Sequence, residues 1–189
     1  MQRRISDSRS RFVSKIIALA EKAGLSGQDI DIADFIDRYY RNVAIEDLRI
    51  CSPLDLAGAA LSHLNLAANR PNGKTKVRVY NPTRKTNGWA SPHTIVEIVN
   101  DNMPFLVDSA GMAINRLGYS IHLTVHPTFS VTRDKKGELR EIGKRALLKE
   151  GDDNESFLRI EIDRSANKED FAVLEKALLL NLGDVRNAV

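Results

Sequence analysis

The chain has 189 residues, with 28 basic and 25 acidic side chains, 42% apolar residues and one cysteine. That size suits one domain, or one domain with a helical appendage, and the composition excludes wholesale disorder. No apolar run approaches the ~20 residues of a membrane span, and Cys51 alone forms no internal disulfide, so a cytoplasmic protein with no membrane association is expected.

In chain order, residues 1–72 read as a helical segment. Phe12, Ile16, Leu19 and Ala23 recur at helical spacing, and Gly24 stops the pattern. A second helix is expected over 29–40, with Ile32, Phe35, Ile36 and Tyr39 on one side. Ser52-Pro53 is a start signal, a hydroxyl cap followed by a proline preset for the first turn. The helix after it should turn Leu54, Leu61, Leu64 and Ala68 inward. Residues 69–73 then read as a linker.

From Lys74 the period becomes two. Val77 and Val79 alternate with Arg78 and Tyr80, as in a strand wet on one side. Residues 81–92 read as a loop and 93–100 as an apolar strand. Asp101–Pro104 is a turn in which Asp101 or Asn102 should cap the next helix. Val107, Ala110, Ile114 and Leu117 form its stripe, with Gly118 as a left-handed cap. One long strand is expected over 120–133, a hairpin loop over 134–137 with Gly137 at its bulge, and a return over 138–142. Residues 143–154 read as a polar, mobile loop. Leu158, Ile160 and Ile162 share one face of a strand over 157–163. A final helix, capped by Ser165 or Asn167, buries Phe171, Leu174, Leu178 and Leu182. It runs to the end of the chain without a cap signal, as in a piece of a longer polypeptide.

From residue 93 this order is most of a ferredoxin-like split unit whose last strand is missing. The 74–80 strand can lie antiparallel beside 94–99 and fill that edge. The expectation is therefore α+β: a helical lead-in, 1–72, then an antiparallel sheet over 73–189 with two helices on one face. The second sheet face must meet the N-terminal helices, a second copy or water.

Candidate chemistry is sparse. His122 and His126 share a strand face, but four strand residues span ~13 Å, too far for one metal ion, so no metal site is expected. His63 and His93 have no ligand pattern beside them. The glycines form no G-x-G, and there is no G-x-S-x-G. Glu161, Asp163, Asp152 and Asp153 read as solvated strand ends and loop charges. Residues 73–89 hold five basic groups (Lys74, Lys76, Arg78, Arg84, Lys85) and no acidic one. That stretch is too short for a duplex-binding face, so no nucleic-acid partner is expected. No catalytic residue is assigned.

The segment 95–118 resembles the opening of an ACT domain, in which a strand leads through Asp-x-Pro-Gly into a helix ending near Leu-Gly. Asp101, Pro104, Leu106, Leu117, Gly118 and Ile121 carry the resemblance. An extra residue separates Asp101 from Pro104, and Phe105 stands where glycine is usual. In that family this turn often binds a regulatory amino acid, which makes Asn100, Asp101, Asn102 and Met103 the candidate effector-binding residues. A wider resemblance covers most of the chain. The runs 100–109, 115–118, 121–127 and Arg133-Asp134 with Gly137, together with Tyr39-Tyr40, 53–57 and 77–82, are similar to the N-terminal region of the large bacterial NAD-specific glutamate dehydrogenases. This resemblance implies a non-catalytic regulatory or assembly segment of an oligomeric enzyme that uses NAD elsewhere in its chain. It would contact its own catalytic region and other subunits. A free-standing amino-acid-sensing module is the alternative, and anion or nucleic-acid binding through 74–85 a third reading.

Overall fold

A computed structural model describes residues 2–23, 30–144, 147 and 154–188. The helix stop at Gly24 and the acidic pair Asp152 and Asp153 lie outside the described residues, as does most of the loop expected over 143–154. The elements are α1 (Gln2–Ala23), α2 (Ile32–Tyr40), α3 (Ile45–Ile50), α4 (Pro53–Ala67), β1 (Lys76–Tyr80), α5 (Arg84–Asn87), β2 (Thr94–Asp101), α6 (Leu106–Arg116), β3 (Ile121–Val125), β4 (Thr128–Phe129), β5 (Val131–Arg133), β6 (Leu139–Ile142), β7 (Glu155–Ile162) and α7 (Lys168–Ala188).

The main sheet runs β1-β2-β7-β3, with β4 also on β7, and every pairing is antiparallel. β1 pairs with β2 from Lys76↔Val99 to Tyr80↔Ile95. An N-terminal strand thus stands where a ferredoxin-like unit places its last strand. The long strand expected over 120–133 is three pieces, β3, β4 and β5. Pro127 lies at the first break, where proline has no N–H for the ladder. β5 leaves the main sheet to pair with β6 across the 134–137 turn, where Gly137 has φ +83°.

Two apolar layers enclose the sheet. On one face α6 and α7 bury Leu106, Ala110, Ile114, Leu174, Leu178 and Leu182 against Val96, Ile98, Leu158, Ile160 and Ile162. On the other, α1, α2 and α4 bury Ile16, Phe35, Tyr39, Leu56 and Leu64 against Val99, Val125, Phe129 and Phe157. The N-terminal helices therefore cover the second face. Phe35, Phe129 and Phe157 form its centre, with ring centroids 4.9–6.2 Å apart, a separation at which aromatic pairs add to their burial.

Helix starts follow local chemistry. The Asp31 carboxylate accepts from the Asp34 amide at 3.0 Å, and the Ser52 hydroxyl from the Asp55 amide at 3.1 Å. The inward faces are rotated from expectation at three helices. α1 buries Val13, Ile16 and Ala20, while Ala23 is exposed. α4 turns Leu54 outward and buries Leu56, Ala57, Ala60, His63, Leu64 and Ala67. Small residues there permit close packing, and Gly58 is one: a Cβ on it would lie 2.5 Å from Trp89. On α6, Leu117 is exposed at the C-terminus and Ala113 is buried instead.

Candidate functional site

The turn between β2 and α6 differs from its expected form. Neither Asp101 nor Asn102 caps α6; the N-cap is Phe105, in the left-handed conformation (φ 61°, ψ 8°), with no side-chain cap hydrogen bond. It is the only non-glycine residue with positive φ among the described residues. The extra residue between Asp101 and Pro104 displaces the carboxylate from the helix start. The turn still needs a left-handed residue, and phenylalanine adopts a conformation that costs roughly 1–2 kcal/mol without glycine's freedom. Its side chain is 66% exposed.

The four effector candidates are distributed as follows. Asn100 is fully buried, its oxygen accepting from the Thr75 hydroxyl at 2.7 Å and from Arg186. Asp101 pairs with Arg70 at 2.7 Å through one oxygen and with Arg186 at 3.2 Å through the other. Asn102 is exposed; its amide donates to the Asn154 carbonyl at 2.9 Å and its side-chain oxygen accepts from Ser156. Met103 packs against the α6–α7 core.

Asp101 belongs to a larger cluster. Arg70, in the stretch read as a linker, is 2% exposed and also binds Glu155 at 2.6 Å. Arg133 forks onto Glu155 with contacts of 2.7 and 2.9 Å. Glu155 and Asp101 are register partners on neighbouring strands. One network thus joins the α4–β1 connection, β2, β5, β7 and α7. Arg70, Arg133, Glu155 and Arg186 were not legible as a group. Each is an ordinary polar residue in its own segment, and only the topology collects them.

A second buried polar group lies under the N-terminal helices. Glu161, expected to be solvated, is 3% exposed and paired with Arg159, itself 2% exposed. Glu97 is fully buried, and bonds to Arg78 and to the Tyr80 hydroxyl, the latter at 2.9 Å. Burial pushes its carboxyl up, opposed by Arg78. The polar side of β1 is therefore half-covered by α4, where Arg78 also donates to Ser62 at 2.8–2.9 Å, and half open to water. His63 is buried, with Nε2 3.1 Å from the Ile98 carbonyl and Nδ1 2.8 Å from the Tyr39 hydroxyl. A carbonyl only accepts, so Nε2 carries the proton and Nδ1 accepts from Tyr39. Burial lowers the His63 pKa to about 3, so the ring is neutral.

The remaining candidates are engaged separately. His122 meets Asp163 at 2.7 Å and stacks on His93, with centroids 4.3 Å apart; His126 meets Ser156 at 3.0 Å. Asp163 stays exposed, as expected, its pKa lowered by the Ser120 amide and then His122. In the basic stretch, Lys76 donates to the Leu66 and Asn69 carbonyls at the end of α4, and Arg84 pairs with Asp55 at 2.9 Å. Three of its five charges thus serve internal contacts. Among the described residues, no group of three or more His, Cys, Asp or Glu side chains is arranged to hold a metal ion, and no helix is long and apolar enough to cross a membrane.

The strand order, the two helices on one face and the strand–turn–helix at 94–116 define an ACT-like α+β domain with a helical layer on its second face. The chain belongs to the family described as "Glutamate dehydrogenase, ACT1 domain", whose model matches residues 35–178. It is 39% identical over 155 residues to the NAD-specific glutamate dehydrogenase of Pseudomonas aeruginosa, covering 82% of this chain and 10% of that protein. It is 33% identical over 159 residues to the protein of the same name from Halomonas elongata, covering 84% of this chain and 10% of that protein. The chain thus spans about a tenth of the length of these relatives.

Proposed function

We propose that this chain is the non-catalytic regulatory and assembly segment of an NAD-dependent glutamate dehydrogenase. The parent enzyme would oxidise L-glutamate with NAD and water to 2-oxoglutarate, ammonia and NADH in the cytoplasm. NAD would bind outside this segment, and its partners would be the catalytic region and other subunits of a homo-oligomer. The observation that carries this reading is the closure of the sheet. Helices of the same chain fill both faces, and the buried acids and arginines are paired with one another. A body of this kind offers its rim and outer helix faces to neighbours. An amino-acid effector at Asn100, Asp101, Asn102 and Met103 is part of the proposal. Its ammonium group would have to take Asp101 from Arg70 or Arg186, so binding there would loosen the network that joins five parts of the chain.

The test is a parent enzyme lacking residues 1–189, compared with the intact one for oligomeric state, steady-state kinetics and response to amino acids. The deletion should change assembly or the amino-acid response. An enzyme unchanged in all three would overturn the proposal.

A further inference from the structure

The short helix α3 buries Ile45 and Leu48 and exposes Glu46, Asp47, Arg49 and Ile50. Ile50 is 83% exposed, more than any other large apolar side chain among the described residues. Two hollows share α3 as a wall, one of about 380 Å³ and one of about 470 Å³. Asp47 and Ile50 line the first, together with Asp55 and Glu161. Arg49 lines the second, together with Ser8, Arg11, Phe12 and Lys15 of α1. α3 is thus a ridge with a hollow on either side.

The two hollows have opposite sign. The first holds three carboxylates and no lysine or arginine. Asp55 is paired with Arg84 and Glu161 with Arg159, so Asp47 supplies the unpaired charge there. The second holds three cations and no carboxylate. Among the described residues Arg11 and Lys15 have no ion pair, and the Arg49 side chain donates only to the Ser8 hydroxyl. Arg11 and Lys15 lie four apart on α1, a spacing at which like charges repel, and α3 adds a third cation beside them. The chain by itself offers nothing to offset this repulsion, whereas an acidic surface laid over the hollow would.

We infer that this surface pairs with the same surface of a second copy of the chain. A two-fold axis along α3 brings the two Ile50 side chains together. It also sets the basic hollow of each copy over the acidic hollow of the other, so that Arg49 faces the partner's Asp47 twice. A two-fold axis across α3 would lay like charge on like, so the charge pattern fixes the orientation. The contact has an apolar centre and a charged rim, the ordinary anatomy of an interface, and its small size makes the dimer weak. The inference names a surface for the subunit contact in the proposed function and rests on the homo-oligomer in that reading.

Sedimentation equilibrium of the 189-residue chain over a concentration series tests it, with backbone amide resonances followed on dilution. The chain should dimerise at low salt and dissociate as salt screens the rim charges. Dilution shifts should centre on residues 46–50 and 11–15. Asp47, Arg49 and Ile50 are exposed, so their variants keep the fold. Ile50→Ser and Arg49→Glu should each weaken the dimer about tenfold, since every contact is lost twice by symmetry. The exchange Asp47→Arg with Arg49→Glu restores the facing pair with its signs reversed and should recover most of the affinity that Arg49→Glu loses. A chain that stays monomeric at low salt would overturn the inference. So would dilution shifts centred on another surface, or a dimer indifferent to Ile50→Ser and Arg49→Glu, or no recovery in the exchange. Deleting residues 1–189 from the parent reads the proposed function separately. A deletion that alters assembly or the amino-acid response, beside a monomeric chain, would remove this inference and leave that reading in place.

Discussion

Protonating His63 would put a cation between the Ile98 carbonyl, the Tyr39 hydroxyl and the Phe157 ring, with Arg159 and Arg78 close enough to repel it. Its folded pKa of about 3 lies below the ordinary 6.5, so at intermediate pH the unfolded chain takes up a proton that the folded chain refuses. The stability this group contributes is complete above pH 6.5 and is lost as the pH falls toward 3. Between pH 6.5 and 5 the loss should be about 1.5 kcal/mol. His126, lowered in the same direction by burial, adds to it. Urea titrations at these two pH values should show a clearly smaller drop for His63→Gln than for the unchanged chain. Parallel losses would clear His63 of the effect. At this scale the sequence was least legible. A histidine at position 63 of a helix looks like any other until β2 supplies its carbonyl and α2 its hydroxyl.

Single elements respond to their terminal residues, and α6 is the clearest case. Gly118 supplies its left-handed C-terminal residue at φ +85°, as expected from sequence. At the other end Phe105 performs the same backbone task with a Cβ in place. Because its ring is 66% exposed, removing it sacrifices little packing. Phe105→Gly should therefore hold or raise stability by up to about 1 kcal/mol, relief of strain being partly offset by the greater freedom of the unfolded chain. Phe105→Val should lower stability by a comparable ~1 kcal/mol, since a β-branched residue tolerates positive φ least. Thermal and urea unfolding of the two variants would check this. A Gly variant less stable than the Val variant would mean the exposed ring, not the backbone, matters at this turn. Most element positions were legible from periodicity, and α2, α4, β1, β2, β7 and α7 lie close to where it puts them. The break at Pro127 and the face of α4 were not. An alternating pattern does not register a strand changing sheets, and an Ala-rich helix has weak contrast between its sides.

At the scale of the whole molecule, the helical layer and the sheet share one core. Val99, Val125, Phe129 and Phe157 are buried, and their cover comes from α1, α2 and α4. Deleting residues 1–72 should expose this aromatic face. The remaining 73–189 piece should bind a hydrophobic dye and self-associate at concentrations where the full chain does not. Sedimentation and dye fluorescence read this directly, and a monomeric, dye-silent piece would show that the helices are dispensable to the sheet. The deletion also removes Arg70 from Glu155. Losing one partner of a buried ion pair usually costs about 3–5 kcal/mol, although here Arg133 remains as a second partner.

The sequence by itself determined the α+β class and the kinship carried by the 100–127 motifs, and it offered the edge position of the 74–80 strand as a topology that the β1–β2 pairing then settled. These rest on periodicity, turn residues and local order, which a linear chain displays directly. Only the tertiary structure decided which charges are buried. Glu97, Glu155, Arg159 and Glu161 alternate along strands in the pattern of a wetted face. That face became interior because the N-terminal helices fold back over it. Burial of a polar side chain depends on partners brought from far along the chain, and no local pattern encodes their arrival.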